Sequence, residues 1–251
     1  MNAYVATVFG APAGIGSLTG VVRSDAEVEP QRAQQIAAKL GFPDTVFVWP
    51  TESGHWAARF YSPVEPLTVC YQALIAAACV LEKPLSAFAL RDRTLSVEVT
   101  GEMGWVLTPA TEVVRKGVCT GPQGLASEVI DTGRARAYAR VPTDVFERFS
   151  LPAEDAQAWL ASQRLSGFCL VCMDGPQIRL RVFTSSLSGR EDMATGGAAA
   201  ALPAFLALPG PFVVQQGIGS QRGELHVVAD SRGVCVGGRC ELVIAGRLLI
   251  H

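Results

Sequence analysis

Two strongly apolar segments, one in each half of the chain, follow strand-like runs at similar short intervals. Arg59-Phe60-Tyr61-Ser62 precedes the segment 70–81, and residues 181–185 precede the segment 195–208. A helix that is apolar on all sides is surrounded by other structure, and both segments are shorter than the ~20 residues of a membrane span. The repeated strand, loop and apolar helix indicate a degenerate internal duplication, with chance similarity as the alternative.

The rest of the chain alternates short β-type runs with few helices. Further helices are predicted over 28–40 and 152–163 from apolar spacing and end signals. Strands are predicted over 4–9, 46–49, 56–61, 94–100, 104–107, 167–172, 177–183, 212–215, 224–229 and 240–244. This pattern predicts an α+β fold of two pseudo-symmetric lobes, each a mixed or antiparallel sheet wrapped around a central apolar helix. The expected lobes are 1–117 and 118–251, with the last strand returning to the first.

The composition of the chain argues against several classes of function. The 251 residues are 49% hydrophobic and 18% charged, which supports a core, and the net charge of −2 without a basic stripe argues against nucleic acid. Seven cysteines, an odd number, indicate reduced thiols, and the first residues lack a signal peptide, so we expect a cytoplasmic protein. Cys169-x-x-Cys172 lies in a strand-like run, so its thiols point to opposite faces and we expect no metal site.

The second apolar segment begins in a loop suited to an anion. Residues 189–198 contain glycines that let a ligand approach the backbone, and Asp192 stands just before the predicted helix. The N-terminus of a helix carries unpaired N–H groups and partial positive charge. If two such termini face one cleft, they can hold a small carboxylate. The alternative is that Asp192 or Thr195 only caps the helix.

Six segments in order resemble the phenazine-biosynthesis isomerase (PhzF-like) family, which has the diaminopimelate-epimerase fold. They are Val8-Phe9 with 16–22, then 31–48, 59–63, Glu65 with 70–73, 191–198, and Gln216-Gly217 with Arg222 and 236–238. The resemblance implies an isomerase without a cofactor, acting on a small unsaturated carboxylate in secondary metabolism. It also implies a possible homodimer. The site residues that it implies are Asp44, Asp192 and Gln72 as catalytic groups and Ser17, Cys70, Tyr71, Ala73, Thr195, Gly196 and Gly197 as substrate contacts.

Several of these positions depart from the family motifs. Asp44 stands where the family has a glutamate as general acid and base, and Gln72, which cannot titrate, replaces its histidine. Tyr71 replaces a glycine next to the ligand, either to donate to an oxyanion or simply to pack. Gly197 replaces a serine. Cys70 is retained, but we do not expect it to be a nucleophile.

Three functions fit these residues. The first is proton transfer by Asp44, alone or with Asp192, which requires a carboxyl whose pKa is brought toward neutrality. The second is C–C bond hydrolysis in an antibiotic pathway with a pyrroline-carboxylate type of substrate, because the altered pocket would admit water. The third is ligand binding without catalysis.

Overall fold

The computed structural model describes residues 1–10, 16–81, 85–174, 177–208, 210–218 and 222–249. Its α-helices are α1 (Pro30–Leu40), α2 (Tyr71–Leu81), α3 (Thr143–Arg148), α4 (Ala153–Gln163), α5 (Gly196–Ala199) and α6 (Leu202–Leu206), with 3-10 turns at Ala110–Glu112, Pro122–Gly124 and Ser185–Leu187. Its strands are β1 (Asn2–Val8), β2 (Ser17–Arg23), β3 (Asp44–Pro50), β4 (Trp56–Tyr61), β5 (Pro66–Leu67), β6 (Leu85–Ala89), β7 (Thr94–Thr100), β8 (Met103–Pro109), β9 (Val114–Thr120), β10 (Ala126–Asp131), β11 (Ala135–Arg140), β12 (Gly167–Asp174), β13 (Gln177–Thr184), β14 (Glu191–Asp192), β15 (Phe212–Gln216), β16 (Gly223–Asp230) and β17 (Gly233–Arg247).

The chain divides into two compact units. Unit 1 comprises Met1–Leu107 with Gly237–His251, and unit 2 comprises Thr108–Val236. In both units, parallel and antiparallel strand pairs alternate, so the β-sheet of each unit is mixed. In unit 1, β1–β2 and β3–β4 are antiparallel while β2–β3 and β4–β6 are parallel. In unit 2, β10–β11 and β12–β13 are antiparallel while β11–β12 and β13–β15 are parallel.

Helix α2 is the apolar helix of unit 1. All residues from Tyr71 to Ala78 are buried, and the helix packs against β1, β2, β3, β6 and β7. A Cβ on Gly104 would overlap Cγ2 of Ile75, so the missing side chain lets β8 approach the helix closely. Because apolar residues cover every side of α2, burial on all sides follows from its sequence.

Amphipathic helices cover further strands in each unit. The Glu29 carboxylate accepts from the N–H groups of Gln31 and Arg32 and caps α1, which ends at Gly41 in a left-handed conformation. In unit 2, α3 and α4 bury Phe146 and Leu160 against β11 and β12. These helices therefore bury one face of the strands that they cover.

The second apolar segment differs from the sequence prediction. The prediction of one helix over 195–208, bent by Pro203, is wrong, because the chain forms α5 and α6 with a break at Ala200-Ala201. Pro203 lies in the first turn of α6, where its missing N–H costs no hydrogen bond. A proline in a continuous helix would leave a carbonyl one turn earlier unpaired, so the helix restarts instead.

Candidate active site

Cys70 caps the first turn of α2. Its Sγ accepts the N–H of Ala73 at 3.4 Å, and its carbonyl accepts the N–H of Leu74 at 3.0 Å. Tyr71 and Ala73 follow in the buried face of the helix, at 2% and 0% exposure. The structure therefore gives Cys70 a capping contact at the helix start and encloses the two residues that follow it.

Gln72 lies buried in a polar cluster formed with two hydroxyls from β2. Its Nε2 donates to Ser17 Oγ at 3.0 Å and to Thr19 Oγ1 at 2.7 Å. Its Oε1 is buried and has no hydrogen-bond partner among the described residues. An unsatisfied buried acceptor costs about 1–3 kcal/mol, so this atom is suited to accept from a polar group that enters the site.

Asp44 is the first residue of β3 and is half-buried. In the parallel pairing of β2 with β3, it stands opposite Thr19. Thr19 also accepts from Gln72. The backbone of Asp44 therefore lies next to the cluster of Ser17, Thr19 and Gln72. This placement is compatible with a shared role for the Asp44 and Gln72 side chains.

Asp192 is held by a hydrogen-bond network in unit 2. Thr195 Oγ1 donates to Asp192 Oδ2 at 2.6 Å. Gln216 Nε2 donates to Thr195 Oγ1 and to the Asp192 carbonyl, both at 2.8 Å, while Gln216 Oε1 accepts the Thr195 N–H at 2.9 Å. The Thr195 hydroxyl does not cap α5, although Thr195 occupies the N-cap position. The network orients the Asp192 carboxylate instead.

A cavity of about 170 Å³ adjoins this carboxylate. It is lined by Glu191, Asp192, Met193, Gly217 and Ile218. A cavity of ~150 Å³ accommodates a six-membered ring. Arg181 donates to both carboxylate oxygens of Glu191, from Nε at 3.0 Å and from Nη2 at 2.7 Å, so this carboxylate is already paired with a positive charge. Asp192 differs, because the Thr195 hydroxyl donates to its carboxylate and the Gln216 amide donates to its backbone carbonyl.

Gly196 and Gly197 are buried beside an arginine that sequence reasoning missed. A Cβ on Gly197 would lie 3.2 Å from Nη1 of Arg136, and the Gly197 carbonyl accepts from Thr132 Oγ1 at 2.8 Å. Arg136 is 5% exposed. Alternation in Ala135–Arg140 places Arg136 on the same face as Tyr138 and Arg140, opposite the alanines, so no signal in the sequence indicates that this arginine is buried.

The comparisons with known proteins agree with this architecture. The family model described as phenazine biosynthesis-like protein matches residues 6–120. This region, slightly less than half of the chain, is similar to that family. The matched region contains Ser17, Asp44, Cys70 and Gln72. No curated protein matches the chain.

Solved structures extend the fold to the whole chain. A phenazine biosynthesis protein of the PhzF family from Bacillus anthracis is 20% identical with a TM-score of 0.80, covering 100% of this chain and 99% of its own. One from Enterococcus faecalis is 18% identical with a TM-score of 0.78, covering 99% of each chain. A hydroxyproline epimerase from Agrobacterium vitis is 12% identical with a TM-score of 0.66, covering 98% of this chain and 91% of its own.

Metal sites and membrane-spanning helices are both absent from the described residues. No group of three or more His, Cys, Asp or Glu side chains with the placement of a metal site is present within the described ranges. No helix in the described part of the chain is both long and apolar enough to cross a membrane.

Proposed function

We propose that the chain is a cofactor-independent isomerase that moves a proton within a small unsaturated carboxylate. The observation that carries the proposal is the fixed Asp192 carboxylate beside a ring-sized cavity. A carboxylate whose position is fixed by a neutral donor can accept a substrate proton and return it. Asp192 in unit 2 and Asp44 in unit 1 are the two candidate acid–base groups for this proton transfer.

Gln72 orients the substrate in this proposal. Its amide is anchored through Nε2, so a substrate hydroxyl or N–H group satisfies Oε1. Because an amide does not titrate near neutral pH, proton exchange depends on the carboxyl groups. The candidate substrate contacts of each unit are considered separately: in unit 1 they are Ser17, Cys70, Tyr71 and Ala73, and in unit 2 they are Thr195, Gly196 and Gly197.

Deuterium incorporation tests the isomerase. Small unsaturated carboxylates, including cyclohex-1-ene-1-carboxylate, are incubated in D₂O with the enzyme and followed by proton NMR. We expect deuterium at an allylic carbon with the wild-type chain and at least ~10²-fold slower incorporation with Asp44→Asn, because the carbon acid loses its base. Asp25→Asn, which alters an exposed aspartate, should exchange at the wild-type rate. Full activity of Asp44→Asn would remove Asp44 from the mechanism.

Hydrolysis of a C–C bond is the second candidate. It is favoured by Gln72, because its unsatisfied acceptor could hold a water molecule where the family carries a titratable histidine. Mass spectrometry distinguishes the two reactions: hydrolysis gives two fragments whose masses add up to substrate plus water, whereas isomerisation leaves the mass unchanged. A tightly bound carboxylate that gains no deuterium and is not cleaved would indicate a binding protein.

A further inference from the structure

Arg136 is a buried cation without a counter-charge. Its Nη1 donates to the Arg134 carbonyl at 3.0 Å, while its Nε has no partner and no carboxylate of the described chain pairs with it. The other buried arginines of unit 2 are paired: Arg179 Nη2 lies 2.6 Å from Glu147 and Arg181 Nη2 lies 2.7 Å from Glu191. Burying an unpaired charge is costly, so proteins pair such groups with an anion.

The acidic groups near Arg136 do not supply this anion. The Tyr138 hydroxyl donates to the Ala198 carbonyl at 3.3 Å, and burial raises its pKa well above its usual value. Burial also raises the pKa of the Cys169 thiol to about 12, although the Arg136 charge acts in the opposite direction. Both groups are therefore protonated at neutral pH, and the guanidinium keeps its full charge.

Gly197 leaves the guanidinium without a covering side chain. A Cβ at this position would lie 3.2 Å from Nη1 and 3.4 Å from Nη2, so any larger residue would press on both nitrogens. A planar guanidinium with free N–H groups binds a carboxylate with two parallel hydrogen bonds. We propose that Arg136 binds the carboxylate group of the ligand. The choice of a carboxylate rests on the proposed function.

Binding of a charged ligand and of its neutral isostere tests this role without turnover. Cyclohex-1-ene-1-carboxylate and cyclohex-1-ene-1-carboxamide are titrated into the full chain by calorimetry. We expect the wild-type chain to bind the carboxylate at least ~10-fold more tightly than the amide, and Arg136→Met to bind both equally. Arg136→Lys retains the positive charge but not the planar guanidinium that makes two parallel hydrogen bonds, so it should keep part of the preference for the carboxylate over the amide. Arg140→Met, at an exposed position of the same strand, should behave like the wild-type chain.

Thermal unfolding of the free proteins separates binding from a structural role. Because Arg136 has no counter-charge in the free chain, Arg136→Met should melt at or above the wild-type temperature. A wild-type chain without preference for the carboxylate, or an Arg136→Met variant that retains it, overturns the proposal. Deuterium uptake in the same samples reports on the isomerase separately, so the two proposals can fail independently.

Discussion

Thr195 Oγ1 donates to Asp192 Oδ2 at 2.6 Å and accepts from Gln216 Nε2 at 2.8 Å. The hydroxyl hydrogen is thereby committed to the carboxylate, and the geometry at Asp192 depends on a residue from β15. Removal of Gln216 therefore changes both stability and the orientation of the candidate acid–base group.

Gln216→Leu should lower the free energy of unfolding by about 3 kcal/mol. The change removes three hydrogen bonds from a fully buried site and leaves the Thr195 N–H without its acceptor. Urea denaturation measures the loss. Gln215→Leu, at the neighbouring half-buried position of β15, is the matched control and should change stability by less than ~1 kcal/mol. Equal effects of the two changes would mean that the network contributes nothing.

Gln72→Glu should make stability depend on pH. A carboxyl buried among Ser17 and Thr19 is desolvated, which raises the pKa of the new glutamate in the folded state above that in the unfolded state. The unfolded chain then loses its proton at lower pH, so the stability of the variant relative to wild type falls as pH rises from about 4 toward 7. Melting temperatures from pH 4 to 8 measure the difference, and a difference that is constant with pH would contradict the prediction.

Cys169 should contribute to unfolding at alkaline pH. Burial raises the pKa of this thiol from 9.0 to about 12. Between these values the unfolded chain has released the proton and the folded chain has not, so stability falls as pH rises, by up to about 1.4 kcal/mol per pH unit. Cys169→Ala should reduce this slope. Cys172→Ala removes the same atoms from the same strand but keeps Cys169, so it should retain the wild-type slope in urea titrations at pH 8–11.

Gly189→Ala should destabilise the chain far more than Gly54→Ala. Both glycines have a φ of +79°, so both substitutions carry the ~1–2 kcal/mol cost of a left-handed conformation. A Cβ on Gly189 would also overlap the Ala153 carbonyl oxygen, whereas nothing lies within 4 Å of one on Gly54. We expect Gly189→Ala to cost at least about 2 kcal/mol more, measured by denaturation. Equal costs would show that the loop before Asp192 relaxes freely.

The local sequence pattern predicted helices and strands well where one or more faces of the element are buried, because burial requires apolar residues at those positions. Strands β4 (Trp56–Tyr61) and β7 (Thr94–Thr100) have the predicted bounds, and α2 begins one residue later than predicted. Strand β9 (Val114–Thr120) was missed because its exposed face carries charged residues and a glycine. Period-2 signals fade where a strand has little buried surface, so its existence depends on pairing with β10.

The candidate site was less accessible to sequence reasoning. Asp192 and Thr195 are three residues apart, so their contact follows from the loop. The role of Gln216 could not be predicted in this way, because β15 comes about twenty residues later in the chain. The register of β15 with β13 decides which of its side chains faces the loop. The pairing of Arg136 with Gly197 likewise joins positions that no local spacing connects.

The close contact between Gly197 and Arg136 limits which substitutions these two positions can accept. A serine at position 197 would place its Cβ 3.2 Å from Nη1 and 3.4 Å from Nη2 of Arg136, so the guanidinium would have to move by a few tenths of an ångström to accommodate it. The residues at positions 136 and 197 should therefore change together in related proteins, and Gly197→Ser alone should crowd the guanidinium.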